Sequence, residues 1–273
     1  MRTVRRSAGF AAVLITLLAF LDGPLFPWSP VTPGYQHVVL GRGDVIYPSD
    51  TSLDASYRQL DHYIAEAEAF HRLRMPKRVR IIVLRDWTDL VLQSAFHSRS
   101  HGLGAATLPT GTVIWVTPKL RERNLEPAPY LRHELSHAIL QQNASLLESL
   151  RIGKVRWFSE GLANSSGDTL GCPVPPPLAC QLTRDEFIAR IRAAPLWPAF
   201  DGRETDMRVN YAAWRYFVEY MMRMRGRDVF QKYLLAFIQS PQDAGALFQR
   251  TFGIALPDAV GDFERQVRSG KAP

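Results

Sequence analysis

Residues 129–140 read PYLRHELSHAIL, and three of them have the types and spacing to do chemistry. His133 and His137 are four positions apart, so on an α-helix both imidazoles leave the same face about one turn from each other. Two ring nitrogens so placed can reach one divalent ion, and zinc takes histidine nitrogen at about 2.0–2.1 Å. Glu134 lies one step round the helix from His133, where it can approach a water on such an ion without itself ligating. H-E-x-x-H spacing therefore suits two ligands and a general base. The plain alternative is a solvated helix with incidental histidines. Against it, Leu131, Leu135, Ala138, Ile139 and Leu140 give the helix an apolar side. Polar residues on a buried helix need partners, and a metal would supply them.

A catalytic zinc takes three protein ligands and keeps a fourth position open. The other histidines, His37, His62, His71, His97 and His101, lie upstream and are poorly placed to follow the pair as a third ligand. Downstream, RWFSEGLANSS supplies Glu160, far enough from His137 for a short helix (SLLESL) and a turn before a second long helix returns. Trp157 and Phe158 would anchor that helix in a core. Gly161 and Ala163 would let it pack closely against the first.

These residues need a scaffold. VVLGRGDVIYPSD reads as extended chain turning at its glycines. Leu53, Tyr57, Leu60, Ile64, Ala67 and Phe70 recur at helical spacing behind Asp50 or Ser52 as a cap. KRVRIIVLR is a strand, and DWTDLVLQSAF a short helix capped by Asp86. In HGLGAATLPTGTVIWVTP two extended runs flank a Pro-Thr-Gly turn, a hairpin pattern. Pro127 and Pro129 fall in the first turn of the histidine helix, where proline is tolerated. Thr183 and Glu186 have capping-box spacing. From Thr205 onward the pattern is helical, broken near Gly226, Pro241, Gly253 and Pro257. Trp214 to Met224 reads as core, and RMRGR at 223–227 as a solvated helix end with a glycine cap. The implied class is α+β: a small N-terminal mixed sheet with helices, a helical C-terminal half, and the active-site helix between them.

Composition limits the partners. The chain has 273 residues, 46% hydrophobic and 22% charged, with net charge +7. Past residue 22 only 30 basic residues face 25 acidic ones, with no Lys/Arg run, so nucleic acid is not an expected partner. Residues 1–22 place Arg2, Arg5 and Arg6 before an apolar run from Ala8 to Leu21 that carries no charge. That length suits a signal peptide, but no small-x-small site follows, and Pro24 and Pro27 crowd its place; an uncleaved membrane anchor fits equally. Residues 23–34 read as a linker, and 35–270 as one folded domain whose α/β part runs to about residue 142. Cys172 and Cys180 bracket GCPVPPPLAC. In an exported protein they read as a local disulfide contributing about 2–3 kcal/mol, the alternative being two unrelated thiols. The sequons at Asn143 and Asn164 read as coincidental.

HELSH followed by WFSEGLA resembles the gluzincin metallopeptidases, in particular the peptidase-MA-like group with its second motif W-x-x-E-G-x-A. The similarity spans roughly residues 35–268; its two motifs are specific and the rest is a likeness of pattern, in the C-terminal helices and in the strand ending TVIWVTP. The resemblance implies zinc held by His133, His137 and Glu160, with Glu134 as general base. It also implies a peptide or protein substrate paired to the hairpin strand, and Tyr211 as a donor to the oxyanion, for which a half-buried core tyrosine is the other reading. Some gluzincins carry an acid one turn after the glutamate ligand; Asn164 stands there, so that outer contact is an amide's. Together these readings lead to an exported, membrane-tethered zinc metallopeptidase. The rival readings are a non-catalytic binding or assembly protein on the same scaffold and a zinc hydrolase of a non-peptide amide.

Overall fold

In the computed structural model, the described residues are 13, 15–18, 25–29, 31–86, 88, 104–167 and 182–270. His97, His101, Cys172, Cys180, most of the apolar N-terminal run and the helix expected after Asp86 lie outside them, although Asp86 does accept from the Thr88 backbone N–H at 2.8 Å. Among the described residues no helix is long and apolar enough to cross a membrane.

The architecture is α+β. Strands β1 (Tyr35–Val39) and β2 (Gly43–Pro48) form an antiparallel hairpin, and β3 (Val79–Val83) lies parallel to β2. Then β4 (Ala105–Thr107) and β5 (Val113–Val116) form a second hairpin whose β5 runs parallel to β3, giving the order β1-β2-β3-β5-β4. Both β2 and β5 are buried along their whole length; β5 is apolar without interruption, and the one charge in β2, Asp44, is paired with Arg80 at 2.9 Å. Their side chains still divide by the period of two. Val45, Ile81, Ile114 and Val116 join the main core, while Ile46, Ile82, Val113 and Trp115 form a second cluster on the other face. Phe26 closes that second cluster, and the Arg80 guanidinium donates to the Pro27 carbonyl. Part of the stretch read as a linker is therefore packed onto the sheet.

Helix α1 (Leu60–His71) covers the main-core face and makes the crossover from β2 to β3. It begins about two turns later than its periodicity suggests, because Ala55–Gln59 form a tighter 3-10 turn. Asp54, and not Asp50 or Ser52, caps that 3-10 turn by accepting from the Ser56 N–H, and α1 itself has no side-chain cap. After β5 come α2 (Lys119–Glu122), α3 (Pro127–Gln142), α4 (Leu146–Ile152) and α5 (Arg156–Ser166). Beyond the undescribed segment lie α6 (Arg184–Ala193), α7 (Pro198–Asp201), α8 (Met207–Arg225), α9 (Arg227–Gln239), α10 (Ala244–Phe252) and α11 (Leu256–Arg268). The capping box of Thr183 and Glu186 is present, and Gly226 ends α8 at φ 81°. Of the Trp214–Met224 cluster, Met224 alone is largely exposed.

The N-terminal part is tied together by one buried carboxylate. Glu68 on α1 receives both ends of the Arg42 guanidinium, at 2.7 and 2.8 Å, and the Met75 N–H at 2.7 Å. Arg42 holds its pKa down to about 2, against the opposing effect of burial. A carboxyl held below its unfolded value of about 4.3 stabilises the fold above that pH, and the benefit fades as pH falls toward 2. Glu68→Gln should therefore cost about 1–3 kcal/mol in urea unfolding at pH 7. The gap to wild type should shrink markedly at pH 2.5; an equal gap at both pH values would sink this account.

Candidate metal centre

Helix α3 starts on Pro127, whose missing N–H falls where helices leave that group unsatisfied anyway. Leu131, Leu135, Ala138 and Ile139 are fully buried, so the expected apolar side is the packed side. Gly111, in the turn between β4 and β5, has φ 65°, and a Cβ there would come within 2.5 Å of the Ala138 carbonyl. Glycine thus lets the hairpin lie directly on α3. The approach is held by Gln142, whose amide donates to the Gly111 carbonyl at 2.7 Å and accepts from the Lys77 N–H at 2.8 Å.

The three anticipated donors converge. His133 Nε2 and His137 Nε2 are 3.1 Å apart, and the Glu160 Oε2 lies 3.3 Å from the first and 3.6 Å from the second. The imidazoles meet edge to face, ring centroids 4.8 Å apart. Four ligands at about 2.0–2.1 Å around a tetrahedral ion stand about 3.3 Å from one another, so the donor triangle fits zinc with one position left over. Two histidines and a carboxylate are also a donor set that zinc favours. No other group of three or more such residues converges among the described residues.

Electrostatics tie the same atoms together. Burial pulls the His137 pKa down, but the Glu160 carboxylate, by charge and hydrogen bond, outweighs it and raises the value to about 8. Burial works against Glu160 too, and His137 and His133 still hold its pKa well below the usual carboxylate range. His71 is different. Fully buried, it is pushed down to about 3, chiefly by desolvation, so it is neutral there; its Nε2 lies 2.8 Å from the Ser136 hydroxyl. It packs behind α3 as a core residue and takes no part in the donor triangle.

Glu160 reaches α3 because α5 is fixed from behind. Phe158 is fully buried edge-on to Tyr233 and Phe237, at 4.8 and 4.7 Å, and Trp157 packs edge-on to Phe217 and Phe248. The close approach that Gly161 allows is to α8, not to α3. A Cβ at 161 would stand 2.7 Å from the Trp214 carbonyl. The reason is helical phase: with Glu160 turned to α3, the next residue points about 100° away.

Glu134 is buried, and its carboxylate accepts from the Thr107 hydroxyl at 2.6 Å. Thr107 ends β4, one of the two edge strands of the sheet among the described residues, and is a contact of this site that sequence reasoning missed. Nothing in the local sequence marks it; only the register of the hairpin against α3 brings it there. Tyr211, half-buried on α8, packs edge-on to Trp214 at 5.6 Å. Its hydroxyl pKa is raised, first by burial and then by the Glu160 charge, with Glu134 adding to it and Arg156 opposing. Asn164 is buried one turn beyond Glu160. The Asn143 amide donates to the carbonyls of Arg74 and Ile139, which leaves neither sequon with a freely exposed asparagine.

No family model matches the chain, and no curated protein matches it. Among solved structures, an M1 zinc metallopeptidase from Deinococcus radiodurans bound to a Tyr-Ser-Ala substrate is similar at 16% identity, with a TM-score of 0.42. The match covers 86% of this chain and 50% of that one, so the chain spans about half that protein's length. The donor geometry, rather than this distant likeness, defines the site. Purified protein should bind one zinc per chain, and His137→Ala should lower affinity at least about 100-fold by competition with a chromogenic chelator. Unchanged affinity in that variant would dissolve the site.

Proposed function

We propose that this chain is a zinc-dependent metallopeptidase. The observation that carries the reading is the triangle of His133 Nε2, His137 Nε2 and Glu160 Oε2, with edges of 3.1 to 3.6 Å, beside the carboxylate of Glu134. A zinc ion bound by those residues supplies Lewis acidity, polarising a carbonyl and bringing the pKa of water toward 7.

The chain's own residues supply the rest. Glu134 takes a proton from the attacking water and passes it to the departing amine. It needs no other nucleophile, since water itself attacks. Thr107 holds one carboxylate oxygen of Glu134 at 2.6 Å, which fixes the base's direction and leaves the second oxygen to work. Tyr211, kept protonated by its surroundings, donates a hydrogen bond to the oxygen that gains charge. The outer strand β4 offers main-chain groups for pairing an extended peptide. The resemblance of HELSH and WFSEGLA to gluzincins agrees with the roles of Glu134, Tyr211 and the hairpin strand. Residues 1–22 would export the protein and, uncleaved, tether it to a membrane.

The non-catalytic alternative is disfavoured by Glu134, which has no ligating part to play yet is buried and oriented at the site. Glu134→Gln should keep its zinc and lose at least about 1,000-fold in kcat on a peptide library, since general base catalysis alone is worth about 100- to 10,000-fold. Undiminished turnover would overturn the mechanism. Thr107→Val should lower kcat by about tenfold with little change in KM, measured on the same peptides. A shift confined to KM would mean that Thr107 serves the substrate and not the base.

A further inference from the structure

Arg156 opens α5 four residues before Glu160, so the two side chains share a helix face with their Cα atoms about 6 Å apart along the axis. Its guanidinium lies over the indole of Trp214, 5.5 Å from the ring centroid. Tyr211 meets the same indole edge-on at 5.6 Å. The indole is a fixed platform, being buried and held by an Nε1 hydrogen bond of 2.7 Å to the Ala199 carbonyl. Arginine and tyrosine are thus held against one rigid surface. The guanidinium also donates to the Tyr211 hydroxyl, on which the Glu160 and Glu134 charges act as well.

Arg156 is exposed and pairs with no carboxylate among the described residues, whereas Arg151 and Arg190 are bound to Glu148 and Glu204. A guanidinium stacked on an aromatic face keeps its N–H edge available, and that edge matches a carboxylate in two-pronged fashion. Glu134 and Glu160 offset the charge of a zinc ion bound there, so a substrate carboxylate gains from a further cation at the edge of the centre.

We propose that Arg156, seated on Trp214, anchors a carboxylate of the substrate one or two residues from the bond presented to His133, His137 and Glu160. The distance supports the spacing: two extended residues span about 6.6 Å, close to the one-turn offset between Arg156 and Glu160. The carboxylate is a free C-terminus or an acidic side chain, and the site thereby favours anionic over neutral peptides. The inference deepens the peptidase reading and rests on it for the position of the scissile bond.

The test uses zinc-loaded full-length protein carrying Glu134→Gln, so that peptides bind without being cleaved. Calorimetry would compare three acetylated peptides: one with a free C-terminus, the same peptide amidated, and the amidated peptide with glutamate in place of glutamine near its end. One or both carboxylate peptides should bind roughly 10- to 100-fold more tightly than the neutral one, the worth of a charge-assisted pair, and which of them does so identifies the source. Adding Arg156→Gln should bring that ratio to about one with zinc content unchanged. Arg156→Lys should restore part of it, keeping charge without the fork. Equal binding of acid and amide with Arg156 intact overturns the anchor, as does a ratio that survives Arg156→Gln. Turnover by the Glu134 protein separates the two ideas. Cleavage with no carboxylate preference leaves the peptidase and removes the anchor. Arg156-dependent carboxylate binding with no cleavage of any peptide leaves the anchor and removes the peptidase.

Discussion

Everything in this molecule's site depends on one closure: a carboxylate carried by one helix is brought to within 3.3 and 3.6 Å of two imidazoles carried by another. The histidine pair costs the fold little, since spacing of four is a property of any helix. Bringing Glu160 to it is another matter. A carboxylate taken out of water and placed beside two rings must be compensated, by protons on the rings or by a cation shared among all three. The depressed pKa of Glu160 and the raised one of His137 record that mutual compensation. A divalent ion would perform the same service with both imidazoles neutral.

The rest of the architecture can be understood as what holds α5 still. Its aromatic pair, Trp157 and Phe158, enters a core built by α8, α9 and α10, and Gly161 lets its backbone settle against α8. From the other side α3 is pressed between α1 and the β4–β5 hairpin, with Gly111 and Gln142 setting the approach. Two separately anchored helices thus meet at a polar seam. Rigid support on both sides keeps donor atoms within tenths of an ångström of usable geometry, as a metal centre requires. The same packing delivers Thr107 to Glu134 and seats Tyr211 and Arg156 against one fixed indole.

Much of this was legible in the residues themselves. The i, i+4 histidines, the apolar side of α3, the short connecting helix and the anchoring aromatics all have local signatures, and each of these elements formed where its periodicity placed it. Where the reading and the structure differ, the cause is contact between distant segments or competition for a backbone group. Gly161 was assigned to the α3 interface because it adjoins Glu160, whereas the phase of the helix turns it to α8. The start of α1 moved because Asp54, two residues nearer than Ser52, competes successfully for a backbone N–H and tightens a 3-10 turn. Part of the expected linker is packed because Phe26 fills a gap over Ile46, Ile82 and Trp115 that no local pattern announces.

The sequence alone determined the donor types, the pairing of His133 with His137, the carboxylate of Glu134 beside them and the α+β order of elements, because all of these follow from residue types and from periodicities of two and 3.6 along the chain. Only the tertiary structure decided that Glu160 meets the pair, that Thr107 holds Glu134, and that Arg156, Trp214 and Tyr211 form one group. Those contacts join segments from 23 to more than 50 residues apart, and their geometry is set by packing volume and helix crossing rather than by any local preference.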